Sequence, residues 1–245
     1  MKTGVKILPS LFTTGNIFCG FYAIIAAINV DYYKSAVAIL IAIVFDGLDG
    51  RIARMTKATS DFGIEYDSLA DIISFGLAPG LLLYLWVLRP FGRIGWLAVF
   101  LFIICGALRL ARFNVQLSEE KSYKFIGLPI PASAGVVASY VILSYDSILF
   151  SKINPVVIAM FVYLLSFLMV SNIKYRSFKY FELRKRRSFG ILIFTILFIY
   201  IIVTIPEVMI FFIFFLYVLS GPLESVLASR KSESMVEVKD KTRNH

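Results

Sequence analysis

Four aspartates, Asp46, Asp49, Asp67 and Asp71, lie close together in a sequence that is otherwise strongly apolar. They fall into two pairs, at i,i+3 and at i,i+4. On a helix the first pair is about 60° apart and the second about 40° apart, so each pair shares a face. Gly50 and Ala53 share the face of the first pair, and Gly63 stands one turn ahead of Asp67. Small residues beside carboxylates leave room for a bulky ligand. A carboxylate at the centre of a membrane helix costs roughly 2.5–3.5 kcal/mol on insertion scales, so four without a counter-charge cost on the order of 10 kcal/mol. A divalent cation is the simplest offset. Carboxylates without His or Cys select hard, oxygen-seeking ions, Mg²⁺ or Mn²⁺ first and Ca²⁺ second. Two such ions about 3.5–4 Å apart would share this many acids and clamp a phosphate during in-line displacement. Arg54 adds a hold on phosphate charge. The chemistry implied is metal-dependent transfer of a phosphoryl-type group on a substrate that lives in a bilayer.

The elements that must position these residues are membrane helices. Of 245 residues, 59% are hydrophobic, and the mean hydropathy is +0.81, too apolar for a soluble domain. Each span needs about 20 apolar residues, and about eight can be placed: 8–28, 35–57, 64–88, 94–113, 131–149, 155–172, 189–205 and 207–227. The expected fold is all-α and polytopic, with one integral membrane catalytic domain over residues 1–228. A charged tail, 229–245, is expected to be disordered and cytoplasmic.

The net charge of +9 suits an anionic lipid surface. Nucleic acid is not the expected partner, because the basic residues flank helix ends. With the N-terminus inside, only Lys34, Arg89, Arg93 and Lys152 of the 25 basic residues fall on the outer side. Both termini and the four aspartates are then expected at the cytoplasmic side. Lys2 and Lys6 precede an apolar run, as in a signal peptide, but Thr13, Thr14, Gly15 and Asn16 interrupt it, so an uncleaved first helix is expected. Cys19 and Cys105 read as small buried apolar residues, and the single histidine, His245, leaves no His ligand or His base near the acids.

Several other positions carry expectations. Asn16 is a buried amide in the first helix, either bonding to another helix or touching ligand. Ser60 or Asp61 can cap the third helix, with Glu65 in its first turn. Gly76, Pro79 and Gly80 invite a bend there. The run GLPIPASAG suggests a fixed, irregular approach to the fifth helix, and the basic run at 174–187 reads as a topology signal.

The spacing Asp46-x2-Asp49-Gly50-x2-Ala53-Arg54-x8-Gly63-x3-Asp67-x3-Asp71 resembles the signature of the CDP-alcohol phosphotransferases at every defined position. That family transfers a phosphatidyl-type group from a CDP-linked lipid to an alcohol and releases CMP. The resemblance implies metal ligands at Asp46, Asp49 and Asp67. Asp71 would complete the metal site and serve as general base. It also implies contacts to the CDP-lipid at Gly50, Arg54 and Ser60, with Asn16 and Gly63 as further candidates. The segments LPSLFTTGNIFCGFYAI, FGLAPG, ALRLARFN, GLPIPASAG and SNIKYRSFK are similar to the phosphatidylserine synthase branch, in order and along most of the chain.

That likeness makes CDP-diacylglycerol and L-serine the expected substrates. It also suggests a homodimer in the plasma (inner) membrane with its site facing the cytoplasm. Arg109 and Arg112 are candidates for the serine carboxylate, with a topological or lipid-phosphate role as the alternative for each. Rival expectations are a sibling enzyme using glycerol 3-phosphate or inositol, and a membrane cation transporter, whose intramembrane acids would line a pathway.

Overall fold

The computed structural model describes residues 3–56, 60–118, 125–146, 154–175 and 204–243. Helix α1, Thr3–Ile28, and α2, Tyr32–Thr56, form a hairpin. α1 ends with Asp31 N donating to Ala26 O at 2.9 Å and Val30 N donating to Ala27 O at 3.1 Å. That is a Schellman turn with a valine, φ +65°, where glycine is usual. Asp31 then starts α2, accepting from Lys34 N through Oδ1 and from Lys34 Nζ through Oδ2. These bonds hold the exposed Asp31 carboxyl below its ordinary value.

The third rod is continuous but not uniform. α3, Asp61–Asp71, starts at Ser60, whose extended backbone and Oγ cap the helix by accepting from Gly63 N at 3.1 Å. Asp61 occupies the first turn. Glu65, expected there, lies past it, because the helix begins three residues earlier than the apolar pattern suggests. A π-helical stretch, Ile72–Leu77, follows, then α4, Ala78–Leu83, a second π stretch, Tyr84–Leu88, and a 3-10 turn, Arg89–Phe91. The bend expected at Gly76, Pro79 and Gly80 thus takes the form of widened turns. Ala78 N bonds five residues back, to Ile73 O. Pro79 offers no N–H, and its ring would press on the carbonyl four residues earlier, a conflict that a wider turn relieves.

α5, Arg93–Ser118, returns. The two-residue strand β1, Phe125–Ile126, pairs antiparallel with β2, Lys174–Tyr175. Between them lie α6, Ile130–Asp146, and α7, Pro155–Val170, the latter capped by Asn154 and opened by Pro155. The GLPIPASAG run is fixed as expected. Gly127 adopts φ +83° against the Met169 backbone, Gly127 N donates to Ile173 O, and Leu128 N donates to Leu168 O.

α8 runs Pro206–Arg243. The tail expected to be disordered from residue 229 is therefore helical to Arg243. The charged residues that suggested disorder are compatible with a helix continuing out of the apolar span. The first, second, third, fourth, fifth, sixth and eighth expected helices are all present. The seventh, 189–205, lies almost wholly outside the described residues, as does most of the basic run 174–187. Among the described residues, four helices are long and apolar enough to cross a membrane: Ser10–Ile28, Asp61–Phe91, Arg93–Gln116 and Pro206–Ser225. This is an integral membrane architecture.

The core is rich in small residues, including Ala23, Ala27, Ala36, Ala38, Ala42 and Ala78. Without a hydrophobic driving force inside lipid, such residues let backbones approach closely. One close approach is Gly20 of α1 against Ser74 of the first π stretch, where an added Cβ would collide with Ser74 backbone and side chain. Replacing Gly20 with Val is expected to destabilise the protein by about 1–3 kcal/mol. A lowered melting midpoint in detergent checks this; an unchanged midpoint would mean that the two helices separate without penalty.

Candidate active site

The acids meet because α1 lies against both rods that carry them. Asp46 and Asp49 project from the last turns of α2, and Asp67 and Asp71 from the last turns of α3. One carboxylate oxygen from each of Asp46, Asp49 and Asp67 lies within 4.8 Å of the others. Asp71 is not in that cluster. It is buried beside it, within electrostatic reach of Asp46 and Asp67. The sequence expectation of four acids on facing helices therefore resolves into a gathered three and a deeper fourth.

The donor set suits a divalent cation. It consists of oxygens alone, and Asp67 Oδ1 and Asp71 Oδ1 are buried with no hydrogen-bond partner among the described residues. Asp49 is held by a neighbour: Thr13 Oγ1, itself only 4% exposed, donates to Asp49 Oδ2 at 2.9 Å.

Two arginines flank the cluster, each within electrostatic reach of Asp46. Arg54 is exposed and lies over Gly50, where an added Cβ would meet its Nη1 at 3.4 Å. Arg109, in α5, is only 7% exposed, faces Asp71 and Asp46 electrostatically, and sits 5.5 Å from the Phe113 ring centroid. A buried guanidinium beside buried carboxylates offsets part of their charge.

The two arginines that are candidates for the serine carboxylate have different surroundings. Arg112 donates to the Val170 and Ser171 carbonyls and to Asn172 Oδ1, each at 3.3 Å. It caps the C-terminal end of α7, where a cation is favoured by the helix dipole. Arg109 is the one turned toward the acids.

Asn16 is completely buried. Its backbone carbonyl accepts from Ser74 Oγ at 3.0 Å, but neither its side-chain oxygen nor its nitrogen has a partner. The side chain therefore makes no hydrogen bond to another helix among the described residues. Ser60 and Gly63 stand at the start of α3, and an added Cβ on Gly63 would meet only Ser60 Oγ, at 3.2 Å. Lys57 and the 57–59 link lie outside the described residues.

Sequence reasoning missed several supporting residues. Thr13 and Thr14 registered only as breaks in an apolar run. Thr13 holds Asp49, and Thr14 Oγ1 shares a 3.0 Å hydrogen bond with Tyr66 OH, next to Asp67. Asn114 Nδ2 donates to Ser68 Oγ at 2.9 Å, tying α5 to α3. A polar residue inside an apolar helix was the available signal in each case, but it does not name its partner.

A family model described as CDP-alcohol phosphatidyltransferase matches residues 6–168, a stretch that contains all of these acids. The chain belongs to the CDP-alcohol phosphatidyltransferase family. Among its relatives, the CDP-diacylglycerol–serine O-phosphatidyltransferase of Helicobacter pylori is 44% identical over 173 residues, 71% of this chain and 73% of the relative. The protein of the same name from Bacillus subtilis is 40% identical over 175 residues, 71% of this chain and 93% of the relative. The archaetidylserine synthase of Methanothermobacter thermautotrophicus is 36% identical over 71% of each chain. This chain is thus an integral membrane CDP-alcohol phosphatidyltransferase, and its three-aspartate cluster is suited to the metal ion that the family's chemistry uses. Membership removes the cation transporter as the main reading.

Proposed function

We propose that this chain transfers the phosphatidyl group of CDP-diacylglycerol to the hydroxyl of L-serine, giving phosphatidylserine and CMP. One juxtaposition carries the proposal: three gathered carboxylates lie beside the buried pair Asp71 and Arg109, in a site framed by membrane helices. The names of the relatives from Helicobacter pylori and Bacillus subtilis, both serine O-phosphatidyltransferases, support the choice of acceptor.

Asp46, Asp49 and Asp67, completed by Asp71, would hold two Mg²⁺ or Mn²⁺ ions. When bound, the ions offset diphosphate charge and stabilise the charge that builds on phosphorus and on the departing CMP. Asn16 offers a buried donor and acceptor to the CDP part of the lipid. Gly50 keeps the backbone bare beneath the Arg54 guanidinium, which would take phosphate charge of the donor. Ser60 Oγ accepts from Gly63 N and retains its own proton to donate.

Asp71 takes the proton of the serine hydroxyl as that oxygen bonds to the lipid-side phosphorus. The bond from this phosphorus to the oxygen of CMP breaks, and CMP leaves with the electron pair. Arg109 pairs with the serine carboxylate, a contact that a zwitterionic acceptor requires and a neutral polyol does not. Arg112 steadies the end of α7 instead of binding serine. Residues 1–228 form the catalytic domain, which works as a homodimer in the inner membrane. The site opens to the cytoplasm and both termini lie on that side, as the distribution of basic residues supports.

The test is CMP release by detergent-purified protein given CDP-diacylglycerol and, separately, L-serine, glycerol 3-phosphate and inositol. Release with serine alone is expected; release with another alcohol but not serine would sink the proposal. Arg109→Gln is expected to raise the serine KM about 10–100-fold, the equivalent of a lost charge-assisted hydrogen bond. An unchanged KM would remove Arg109 from the acceptor pocket.

A further inference from the structure

The polar break in α1 grips both acid-bearing rods at once. Thr13 Oγ1 donates to Asp49 Oδ2 on α2 at 2.9 Å, with both residues only 4% exposed. One residue later, Thr14 Oγ1 meets Tyr66 OH on α3 at 3.0 Å, beside Asp67. On the next turn, Ser74 Oγ donates to the Asn16 carbonyl at 3.0 Å, just beyond Asp71. Gly20 completes the contact by letting the backbones close at Ser74. α1 supplies none of the four acids, yet it contacts both helices that do.

The Thr13 bond acts on the donor set itself. A carboxylate can turn about its last bond and present either oxygen. A hydroxyl proton on Oδ2 restrains that turn, in a carboxylate that offers one of its oxygens to the cluster with Asp46 and Asp67. Thr is β-branched and stiff at its first side-chain angle, so this donor is held in place before any cation arrives. Hydrogen-bond partners of metal ligands act in this way, fixing orientation and tuning affinity.

We propose that Thr13 is the positioning residue of the metal centre, fixing the Asp49 carboxylate so that α2 and α3 present their oxygens to divalent cation at the right separation. The proposal rests on the metal-site reading above. It assigns to α1 a role in cation affinity separate from any contact with substrate.

Mn²⁺ binding to the full-length, detergent-purified protein, without lipid or serine, provides the test; free Mn²⁺ is followed by electron paramagnetic resonance. Thr13→Val keeps the shape and removes the proton. Its Mn²⁺ dissociation constant is expected to rise about 10–100-fold. Its melting midpoint in EDTA should stay close to that of the parent, and Thr13→Ser should restore affinity. A Thr13→Val affinity within about twofold of the parent, or a Thr13→Ser protein as weak as Thr13→Val, overturns the assignment to this hydroxyl. Should the valine variant not be recovered as a monodisperse protein, Thr13→Ala carries the same expectations and the same limits. A parent protein that binds no Mn²⁺ would instead overturn the metal-site reading, so the two failures are distinct.

Discussion

Asp71→Asn should lower CMP release by about 10²–10⁴-fold, the usual contribution of a positioned general base. The amide has nearly the shape of the carboxyl but cannot accept a proton at neutral pH. Asp71 is 6% exposed, with Oδ1 lacking a hydrogen-bond partner among the described residues, and the substitution adds no bulk and removes one negative charge from beside the acidic cluster. The variant should therefore fold and still bind CDP-diacylglycerol, measured as displacement of labelled donor from the purified protein. Saturating Mn²⁺ in the same assay separates a lost base from weakened ion binding: activity restored by excess metal would assign Asp71 to the ions alone. Near-parental turnover at ordinary metal concentration would end its role as base.

Chelation should have an effect as large. The cluster gathers three carboxylates with a fourth beside them, and among the described residues the guanidiniums of Arg54 and Arg109 are the cations in electrostatic reach of Asp46. Transition-state charge stabilisation by metal is worth several kcal/mol, so EDTA should reduce CMP release by about 10³-fold or more. Restoration by Mg²⁺, by Mn²⁺ or by both, titrated separately, identifies the working ion. Asp67→Asn should resist restoration at concentrations that rescue the parent. Activity that survives exhaustive chelation would remove divalent metal from the mechanism.

The acidic site was legible in the sequence because its spacing is local. Asp46 with Asp49, and Asp67 with Asp71, share helix faces whatever the tertiary packing, and apolar surroundings make charged residues stand out. What the sequence does not contain is which residue each polar side chain meets across the fold. Arg109 and Arg112 are three residues apart on one helix and read alike. Packing sends one to the acids and the other to the end of α7. Asn16 likewise carried two readings, and only burial without a side-chain partner separates them. The π turns after Asp71 were signalled only as a bend, since Pro79 announces a disturbance but not its form. The helical reach of α8 to Arg243 was hidden for another reason: charged composition argues against a packed core, and a helix that leaves the bilayer needs none.

The bracing role of α1 bears on how such a chain is made. Ribosomes deliver this helix to the insertion machinery ahead of the two that follow it. When the two acid-bearing helices emerge, a rod bearing hydroxyls and an open backbone seat at Gly20 is already waiting for them. Nascent α2 and α3 can therefore dock on a partner synthesised moments before.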